Sequence, residues 1–333
     1  MAPRERPTVV VTRASLPGNG LTRLGHQTRI LHTEGRGAPS FDELAPLLKD
    51  ADGLLSISTE RIDAQLLDAA PSLRVIAQAG VGVDNFDIGE LTRRGIAAGN
   101  SPGVLSETVA DLTFALILAA ARRVTEAHDY VRRGEWRSMP FDFMLGLDVY
   151  GATLGIVGYG SIGKAVARRA HGFSMSVVHY ARNKQDDELS TWVPLDELLR
   201  TADIVTIHTP LTPQTERLIG PRELALMKPT AVLVNTSRGG VVDQVALTAA
   251  LRERRIFAAG LDVLAVEPIE PDDPLLELSN CLVLPHIGSA SIPTRARMVD
   301  LAVDNILAGL AGQPLPHCVN PEVYRSTLGR QAT

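Results

Sequence analysis

Three glycines stand at the G-x-G-x-x-G spacing of a phosphate-binding turn: Gly158, Gly160 and Gly163. In such a turn the first glycine permits a tight bend, the second lets backbone approach a pyrophosphate, and the third lets the next helix pack closely. The spacing alone is equally typical of a plain glycine turn. An apolar run at 154–157, a helical pattern after the turn and a further strand pattern at 176–180 favour a dinucleotide-binding turn.

The glycine turn lies within a longer alternation of strand and helix patterns. Short runs rich in Val, Ile and Leu predict buried parallel strands, and the amphipathic stretches between them predict helices. Strands are predicted at 8–12, 53–57, 73–78 and 95–98 before the turn, and at 176–180, 204–208, 231–235, 257–261 and 281–284 after it. The predicted fold class is α/β, with two Rossmann-like doubly wound parallel-sheet domains and a cleft between them.

A length of 333 residues is more typical of two domains than of one. Residues 102–289 are predicted to form the dinucleotide-binding Rossmann domain. A last helix, predicted at 292–309, and the proline-containing tail after it are expected to return to the first domain. The substrate-binding domain is therefore predicted to be discontinuous, comprising 1–101 plus 290–333.

Composition excludes several kinds of partner. The net charge of −5 gives no basic field that would gather nucleic acid or an anionic membrane. Cys281 and Cys318 are too few for a disulfide framework and too far apart for a metal pair, so no metal is expected. The N-terminus lacks the apolar run of a secretory signal, and the longest apolar helix pattern is too short for a membrane span. A cytoplasmic protein that acts on a small molecule is expected.

Several short motifs follow one another along almost the whole chain. They are Gly-Val-Gly-Val-Asp at 80–84, Asn-Ser-Pro-Gly-Val at 100–104, the glycine turn, Asn-Thr-Ser-Arg-Gly at 235–239, Gly-Leu-Asp-Val at 260–263, Glu-Pro at 267–268 and Pro-His-Ile-Gly-Ser at 285–289. In these motifs the chain resembles the D-isomer-specific 2-hydroxyacid dehydrogenases. Residues 103–105 and 145–151 are most similar to the glyoxylate and hydroxypyruvate reductases.

The resemblance implies hydride transfer between a nicotinamide and a 2-oxo acid, which needs a carboxylate grip, a polarised ketone and a proton source. Arg238 follows a strand end, and its planar guanidinium can bind carboxylate and ketone oxygens together. Gly239 and Gly240 are expected to keep bulk away from the ligand. His286 would donate the proton during reduction and take it back during oxidation. Glu267 would accept a hydrogen bond from His286 and fix its tautomer.

Each of these residues also has an ordinary structural interpretation. An arginine after a strand is commonly a surface residue, and a lone histidine is more often structural than catalytic. His208, at another strand end, is the competing histidine, but its segment is similar to the adenine-side wall of the family. Glutamate at 267, where the related formate dehydrogenases have glutamine, favours the hydroxyacid enzymes.

The resemblance also implies the ligand contacts. Backbone N–H groups of Val81 and Gly82 would bind the substrate carboxylate, together with Arg238 and His286, although an ordinary glycine turn fits the spacing at 80–82 equally well. Asp262 would bind the nicotinamide carboxamide. The implied cofactor contacts are Thr108, Tyr159, Gly160, Ser161, Ile162, Ala181, Arg182, Asn183, Thr209, Pro210, Thr236, Ser237, Arg238, Asp262, His286 and Gly288.

The residues after the second strand of the turn indicate which nicotinamide is bound. An NAD-selective turn places Asp or Glu there, roughly 20 residues after the glycines, to hold the ribose 2′-hydroxyl. Here the residues are Ala181, Arg182, Asn183 and Lys184, and the first acid is Asp186. Because an arginine and a lysine suit a 2′-phosphate, NADP(H) is predicted over NAD(H). The alternative is a solvent-facing Arg182 in an enzyme that accepts both cofactors.

The expected activity is NAD(P)H-dependent reduction of glyoxylate, hydroxypyruvate or a similar small 2-oxo acid to the D-2-hydroxy acid, with His286 as proton donor. A D-3-phosphoglycerate dehydrogenase-type enzyme is one alternative, although few residues follow the last predicted helix for the added domain of many such enzymes. A non-catalytic dinucleotide-sensing corepressor is the other. Residues 139–144 are expected to line the substrate side chain, and they differ from the tryptophan-containing loop of glyoxylate reductases.

Two helices, predicted at 106–123 and 125–133, carry more apolar surface than one domain requires. In the resembled family such helices form a two-fold interface. A homodimer is therefore expected.

Overall fold

The computed structural model describes residues 6–35, 37–184 and 188–325. Asp186, the first acid after the predicted specificity segment, lies outside them. The chain divides into two compact units, Met1–Leu105 with Ala290–Thr333, and Ser106–Ser289, called here the first and second units.

The first unit contains a five-stranded parallel sheet. Its strands are β1 (Thr8–Val11), β2 (Arg29–His32), β3 (Gly53–Ser56), β4 (Val75–Gln78) and β5 (Ala97–Gly99), and its first four helices are α1 (Gly20–Gly25), α2 (Phe41–Leu48), α3 (Ala64–Asp68) and α4 (Ile88–Arg93). The sheet order is β2-β1-β3-β4-β5, so the strand order reverses between β1 and β3. The ends of parallel strands at such a reversal are where open α/β sheets commonly bind ligands.

The second unit contains a seven-stranded parallel sheet. In chain order its elements are α5 (Ser106–Ala121), α6 (Val124–Arg132), β6 (Thr153–Val157), α7 (Ser161–His171), β7 (Ser176–Tyr180), β8 (Thr191–Trp192), α8 (Leu195–Thr201), β9 (Ile204–Ile207), α9 (Pro221–Leu226), β10 (Val232–Asn235), a short 3-10 helix (Gly239–Val241), α10 (Gln244–Arg252), β11 (Ala258–Leu261) and β12 (Cys281–Val283). The order is β12-β11-β10-β9-β6-β7-β8, a Rossmann arrangement that reverses between β6 and β9.

Helix α11 (Ile292–Leu310) belongs to the first unit and packs on its sheet, with Val303 and Ile306 fully buried. The segment after α11 is fixed by the fully buried Asn320. The side chain of Asn320 accepts a hydrogen bond from the N–H of Ala98 (2.8 Å) and donates one to the carbonyl of Ile96 (2.9 Å). Both partners flank or lie in β5, so the chain after α11 is tied to the edge of the first sheet.

The predicted fold class, α/β with two Rossmann-like doubly wound parallel sheets, is confirmed. Two edge strands, β2 and β8, were not predicted, because their sequences Arg-Ile-Leu-His and Thr-Trp lack the apolar run of a buried strand. Within the described ranges, no helix has both the length and the apolar character needed to cross a lipid bilayer.

Candidate active site

The glycine turn connects β6 to α7 where the strand order of the second sheet reverses. Gly158 has a φ of 97°, and a β-carbon there would lie 2.6 Å from the carbonyl carbon of His208. A β-carbon on Gly163 would collide with the carbonyl oxygen of Gly158. Gly160 differs, since its φ is −84° and no atom of the described residues lies within 4 Å of a β-carbon built there. Protein packing therefore explains two of the glycines but not Gly160.

Gly160 is also the N-cap of α7, and no side chain caps that helix. The first N–H groups of a helix lack partners within the helix, and the helix dipole favours an anion beside them. The open space at Gly160 and this uncapped helix start together fit the pyrophosphate of a dinucleotide. Ser161, in the first turn of α7, hydrogen-bonds through its hydroxyl to Ser106 (3.0 Å).

The other predicted cofactor contacts of the second unit are distributed around the same edge of the sheet. Thr108 is in the first turn of α5, and Tyr159 and Ile162 lie within the glycine turn. The rest follow the carboxyl ends of strands: Ala181, Arg182 and Asn183 after β7, Thr209 and Pro210 after β9, and Thr236 and Ser237 after β10. The side chain of Tyr159 is buried against the His179 ring, with centroids 3.8 Å apart. The Tyr159 side chain therefore packs inside the second unit.

His208, the competing histidine, directly follows β9 and is half-buried. Its Nδ1 is 3.4 Å from the hydroxyl of Thr236, which in turn is 3.0 Å from the hydroxyl of Thr113 on α5. Burial lowers the pKa of His208 to about 3. A ring with that pKa is the neutral imidazole near pH 7 and not the imidazolium that would protonate an alkoxide, which argues against His208 as the acid.

Arg238 follows β10 in a turn that is organised by the buried amide of Asn235. The side chain of Asn235 donates to the carbonyl of Arg238 (2.9 Å) and accepts from the backbone N–H of Ser237 (3.0 Å). The expectation that Gly239 and Gly240 keep space for a ligand is wrong. A β-carbon on Gly239 would overlap the backbone of Leu264, and one on Gly240 would lie 3.1 Å from the side chain of Leu211. These glycines instead let the turn pack against its own unit.

The predicted hydrogen bond between His286 and Glu267 is present, with 2.7 Å between Nδ1 of His286 and Oε2 of Glu267. The other carboxylate oxygen of Glu267 accepts the N–H of Leu264 (2.9 Å). His286 has a φ of 54°, a left-handed conformation that is uncommon for a residue with a side chain. Because ionised Glu267 only accepts hydrogen bonds, Nδ1 of His286 is the donor, and its Nε2 is left for chemistry.

The pKa of Glu267 lies below its ordinary value of 4.5. Partial burial acts to raise it, but the hydrogen bond and charge of His286, the N–H of Leu264 and the charge of Arg238 together outweigh burial. Glu267 is therefore a carboxylate at neutral pH. The positive charge of Arg238 therefore also favours the ionised form of Glu267.

Asp262 holds the backbone of the segment that carries His286. Its carbonyl accepts the N–H of His286 (3.0 Å), and its two carboxylate oxygens accept the N–H groups of Ile287 and Gly288 (2.7 Å each). Asp262 is 1% exposed, and burial raises its pKa against the opposing effect of these N–H groups and of His286. The observed contacts make Asp262 a clamp for residues 286–288.

The turn at 80–82 belongs to the first unit, and its carbonyl groups are held by three neighbours. The N–H of Ser101 donates to the carbonyl of Gly80 (2.8 Å), Asn100 donates to that of Val81 (2.7 Å), and Gln78 donates to that of Gly82. These bonds fix the peptide planes of the turn, and with them the directions of its N–H groups.

The second unit thus combines an open phosphate-binding turn with a histidine–carboxylate pair and an arginine, all at the carboxyl ends of parallel strands. That arrangement defines a dinucleotide-dependent enzyme class in which a histidine can exchange a proton with the substrate. In the part of the chain that the structure describes, no cluster of three or more His, Cys, Asp or Glu residues could hold a metal ion.

Comparison with known proteins specifies the class. The family model of the D-isomer specific 2-hydroxyacid dehydrogenase NAD binding domain matches residues 114–288. A glyoxylate reductase of Korarchaeum cryptofilum is 49% identical over 325 residues, which cover 96% of this chain and 98% of the relative. The chain belongs to the D-isomer specific 2-hydroxyacid dehydrogenase family and is an oxidoreductase.

Solved structures agree with the family. A Thermus thermophilus protein superimposes with a TM-score of 0.89 at 46% identity, covering 94% of this chain and 99% of that one. An NADPH-dependent glyoxylate/hydroxypyruvate reductase of Sinorhizobium meliloti, solved in complex with NADP and malonate, superimposes with a TM-score of 0.84 at 32% identity, covering 96% and 98%. The relatives support reduction of a 2-oxo acid by this fold.

Sequence reasoning assigned no role to the amides that shape the turns, namely Asn235, Asn100 and Gln78. Asn235 and Asn100 were visible inside quoted motifs, and asparagine in a turn often hydrogen-bonds nearby backbone. Gln78 ends a buried strand and carried no such signal. Trp192, whose indole N–H donates to the carbonyl of Ala181, was also not recognised.

Proposed function

We propose that this chain reduces glyoxylate, hydroxypyruvate or a similar small 2-oxo acid to the D-2-hydroxy acid, with NADPH as the preferred cofactor and His286 as the proton donor. The observation that carries the proposal is the 2.7 Å contact between His286 and Glu267, with the charge of Arg238 nearby. A histidine whose Nδ1 is committed to a carboxylate presents Nε2 to a ligand in one defined tautomer.

The proposed reaction assigns one task to each of the three side chains. Arg238 binds the substrate carboxylate and ketone oxygens, which orients the carbonyl carbon and stabilises negative charge as it develops on oxygen. A bound nicotinamide supplies the hydride to that carbon. His286 transfers the proton on Nε2 to the alkoxide oxygen, and Glu267 stabilises the imidazolium before the transfer. His286 then regains a proton from solvent.

Val81 and Gly82 are proposed as further carboxylate ligands through their backbone N–H groups. The support is the way Ser101, Asn100 and Gln78 fix the peptide planes of residues 80–82. A turn whose carbonyls are already bonded loses little freedom when an anion binds its N–H groups.

The preference for NADPH rests on the chemistry after β7. Residues 181–184 include Arg182 and Lys184 and no carboxylate, and both basic side chains are exposed. Arginine can form paired hydrogen bonds with a phosphate, while no acid is present there to accept a ribose 2′-hydroxyl. One solved relative is described as NADPH-dependent and holds NADP.

The test is a panel of 2-oxo acids with NADPH and with NADH, read at the nicotinamide absorbance. The expected result is turnover of glyoxylate and hydroxypyruvate, faster at low NADPH than at low NADH, with Arg182→Ala losing about tenfold in kcat/KM for NADPH only. Arg252→Ala, an exposed arginine at the end of α10, is the matched control. Oxidation of D-3-phosphoglycerate with no activity on the two expected acids would instead favour the phosphoglycerate enzymes.

A homodimer is part of the proposal, but α5 is not its main support. The apolar side of α5 is buried in its own unit, where Phe114 stacks on Phe173 at 5.2 Å. Exposed apolar side chains instead lie on α6 and the segment after it: Val124, Val131, Trp136, Met139, Phe141, Leu145 and Tyr150. Large apolar side chains exposed in such number are typical of a protein interface. Sedimentation as a monomer would contradict the dimer.

The role of 139–144 beside the substrate stays a prediction.

A further inference from the structure

The segment after β7, which carries Arg182 and Lys184, is held at its start by two different elements. The carbonyl of Tyr180 accepts the N–H of Gly158 in the glycine turn (2.8 Å). The next carbonyl, that of Ala181, accepts the indole N–H of Trp192 on β8 (3.1 Å). Because the Ala181 carbonyl and the Arg182 N–H belong to one peptide group, this second bond sets the direction in which the chain leaves the sheet at Arg182.

The ring of Trp192 also contacts the other basic residue of the segment. The ammonium nitrogen of Lys184 lies 5.6 Å from the centre of a Trp192 ring, within the range of a cation–π interaction. One side chain therefore holds the beginning of the segment through its N–H and the later basic residue through its face. Arg182 lies between the two contacts and is exposed.

Trp192 is in turn fixed relative to the glycine turn. β8 pairs with β7 in parallel, with Trp192 opposite His179, and the N–H of Val193 donates to the carbonyl of His179 (2.9 Å). His179 is fully buried, its Nδ1 lies 2.9 Å from the hydroxyl of Ser190, and its ring stacks on Tyr159 of the glycine turn. The position of Trp192 is thus tied to the part of the unit that would hold the pyrophosphate.

We propose that Trp192 is a specificity-determining positioning residue, which pre-orders Arg182 and Lys184 to receive the 2′-phosphate of NADPH. This inference rests on the cofactor preference given under Proposed function. Long basic side chains lose conformational freedom when they bind a phosphate, and a segment that is ordered beforehand loses less. Trp192 therefore acts on the binding of NADPH, which has the phosphate, and not on the binding of NADH, which lacks it.

The first experiment compares Trp192→Leu, which removes both contacts, with Trp192→Phe, which removes the N–H donor and keeps an aromatic face. We expect the KM for NADPH to rise at least about fivefold in Trp192→Leu and less in Trp192→Phe. The kcat and the KM for NADH stay within about twofold of wild type, since neither depends on the phosphate. In an Arg182→Ala background, Trp192→Leu raises the KM for NADPH by a smaller factor than in wild type, because only Lys184 is then left for Trp192 to position.

A second experiment has a readout other than activity. The chain contains two tryptophans, so Trp136→Phe leaves Trp192 as the single indole fluorophore. Titration of that variant with adenosine 2′,5′-bisphosphate is expected to change the Trp192 emission, because the phosphate binds beside Lys184 and its negative charge alters the electric field at the indole ring. Adenosine 5′-monophosphate, which lacks the 2′-phosphate, is expected to leave the emission nearly unchanged at the same occupancy.

Two outcomes would overturn the inference alone. The first is an equal rise in the KM of NADPH and NADH in Trp192→Leu, which would make Trp192 a general scaffold residue. The second is that Arg182→Ala removes the preference for NADPH, while Trp192→Leu leaves the ratio of the NADPH and NADH efficiencies at its wild-type value. A wild-type enzyme without NADPH preference, whose ratio Arg182→Ala does not change, would overturn the proposed cofactor and this inference with it.

Discussion

The two sheets reverse their strand order in the same way and use the resulting space differently. In the second unit the chain after β6 is the glycine turn, and the space beside Gly160 is open. In the first unit the chain after β1 is Thr12-Arg13, and Glu60 lies after β3, the neighbouring strand at the reversal. Arg13 and Glu60 form an ion pair at 2.9 Å with side chains only 9% and 1% exposed. The place where the strand order of a sheet reverses is called here its crossing point. The crossing point of the second sheet has open space for a ligand, and that of the first sheet is occupied by the charged side chains of Arg13 and Glu60.

The buried Arg13–Glu60 pair has further hydrogen-bond partners within the first unit. The Glu60 carboxylate also accepts hydrogen bonds from the hydroxyls of Thr12 (2.9 Å) and Thr59 (2.6 Å) and from the N–H of Ile57 (2.8 Å). Buried charge of this kind is stable only when every partner is present. Topology thus offers a binding position at each crossing point, while the local side chains decide whether a ligand can use it.

The largest effect is expected on kcat, when the proposed proton donor of the second unit is replaced. His286→Asn should lower kcat by about a thousandfold or more, because general acid catalysis by a positioned side chain contributes about 10²–10⁴-fold and asparagine has no proton to give. The dissociation constant of NADPH, measured by fluorescence titration, is expected to change little. An active His286→Asn enzyme would remove the residue from the proposed mechanism. His208→Asn serves as the control for the competing histidine.

The next largest effect is expected on the stability of the fold, when the buried ion pair of the first unit is broken. Arg13→Met keeps the aliphatic stem and leaves the Glu60 carboxylate buried without its cation. The free energy of unfolding is expected to fall by about 3–5 kcal/mol, the usual cost of breaking a buried pair. Arg23→Met is the matched control, since the Arg23–Asp304 pair is about half-exposed and contributes about 0–1 kcal/mol. Urea denaturation measures both variants.

The same variant tests the division of roles between the two crossing points. At a temperature where Arg13→Met remains folded, NADPH is expected to bind with its wild-type dissociation constant. A large loss of NADPH affinity in the folded variant would show that the filled crossing point also serves the cofactor.

Gly160→Val probes the open crossing point directly. The φ of −84° suits valine and the β-carbon meets no described atom, so the fold is expected to survive, with a loss of no more than about 1 kcal/mol from a poorer N-cap. The added bulk occupies the space assigned to the pyrophosphate, and the dissociation constant of NADPH is expected to rise at least about tenfold.

Gly163→Val is the matched control for Gly160→Val. Its β-carbon would collide with the carbonyl of Gly158, so this substitution is expected to lower the melting temperature. Any loss of NADPH affinity in this variant would follow from the damaged fold. Unchanged NADPH affinity in Gly160→Val would mean that the open space is not a ligand site.

The open crossing point was easier to predict from sequence than the filled one. A glycine spacing is local, and the buried parallel strands around it are continuous apolar runs. The Arg13–Glu60 pair joins residues that are far apart along the chain, and nothing in either segment marks the partner. The strands that sequence reasoning missed, β2 and β8, are edge strands whose polar residues hide the pattern.

The chemistry of the second unit was predictable only in part. The bond between His286 and Glu267 was predicted through a family motif, because 19 residues separate the pair and spacing alone does not select Glu267 from nearby acids. The role predicted for Gly239 was wrong. Glycine is required there because of the backbone of Leu264, which comes from a distant segment of the chain. Asp262 was expected at the nicotinamide, yet its observed contacts hold residues 286–288, an arrangement that only the folded backbone reveals.

The smallest expected effect is a pH dependence of stability that belongs to the exposed pair of the second unit. Glu267 has a folded pKa below its unfolded value of 4.5, so its ionisation stabilises the fold above that value. The contribution is lost as the pH falls through the folded pKa. Other carboxylates with lowered pKa values, such as Glu107 and Asp203, add to the same acid limb, so the wild-type curve alone is not diagnostic.

Glu267→Gln isolates the contribution of Glu267, because every other carboxylate titrates in both proteins. The free energy of unfolding of wild type, minus that of Glu267→Gln, is expected to shrink as the pH is lowered from 4.5 through the folded pKa of Glu267. Since the Glu267 side chain is 36% exposed, solvent screening keeps the change small. His286→Asn removes the main cause of the lowered pKa, so the same difference measured in that background should vary less with pH. A difference that instead grows on acidification would mean that burial, and not the contact with His286, governs the carboxylate.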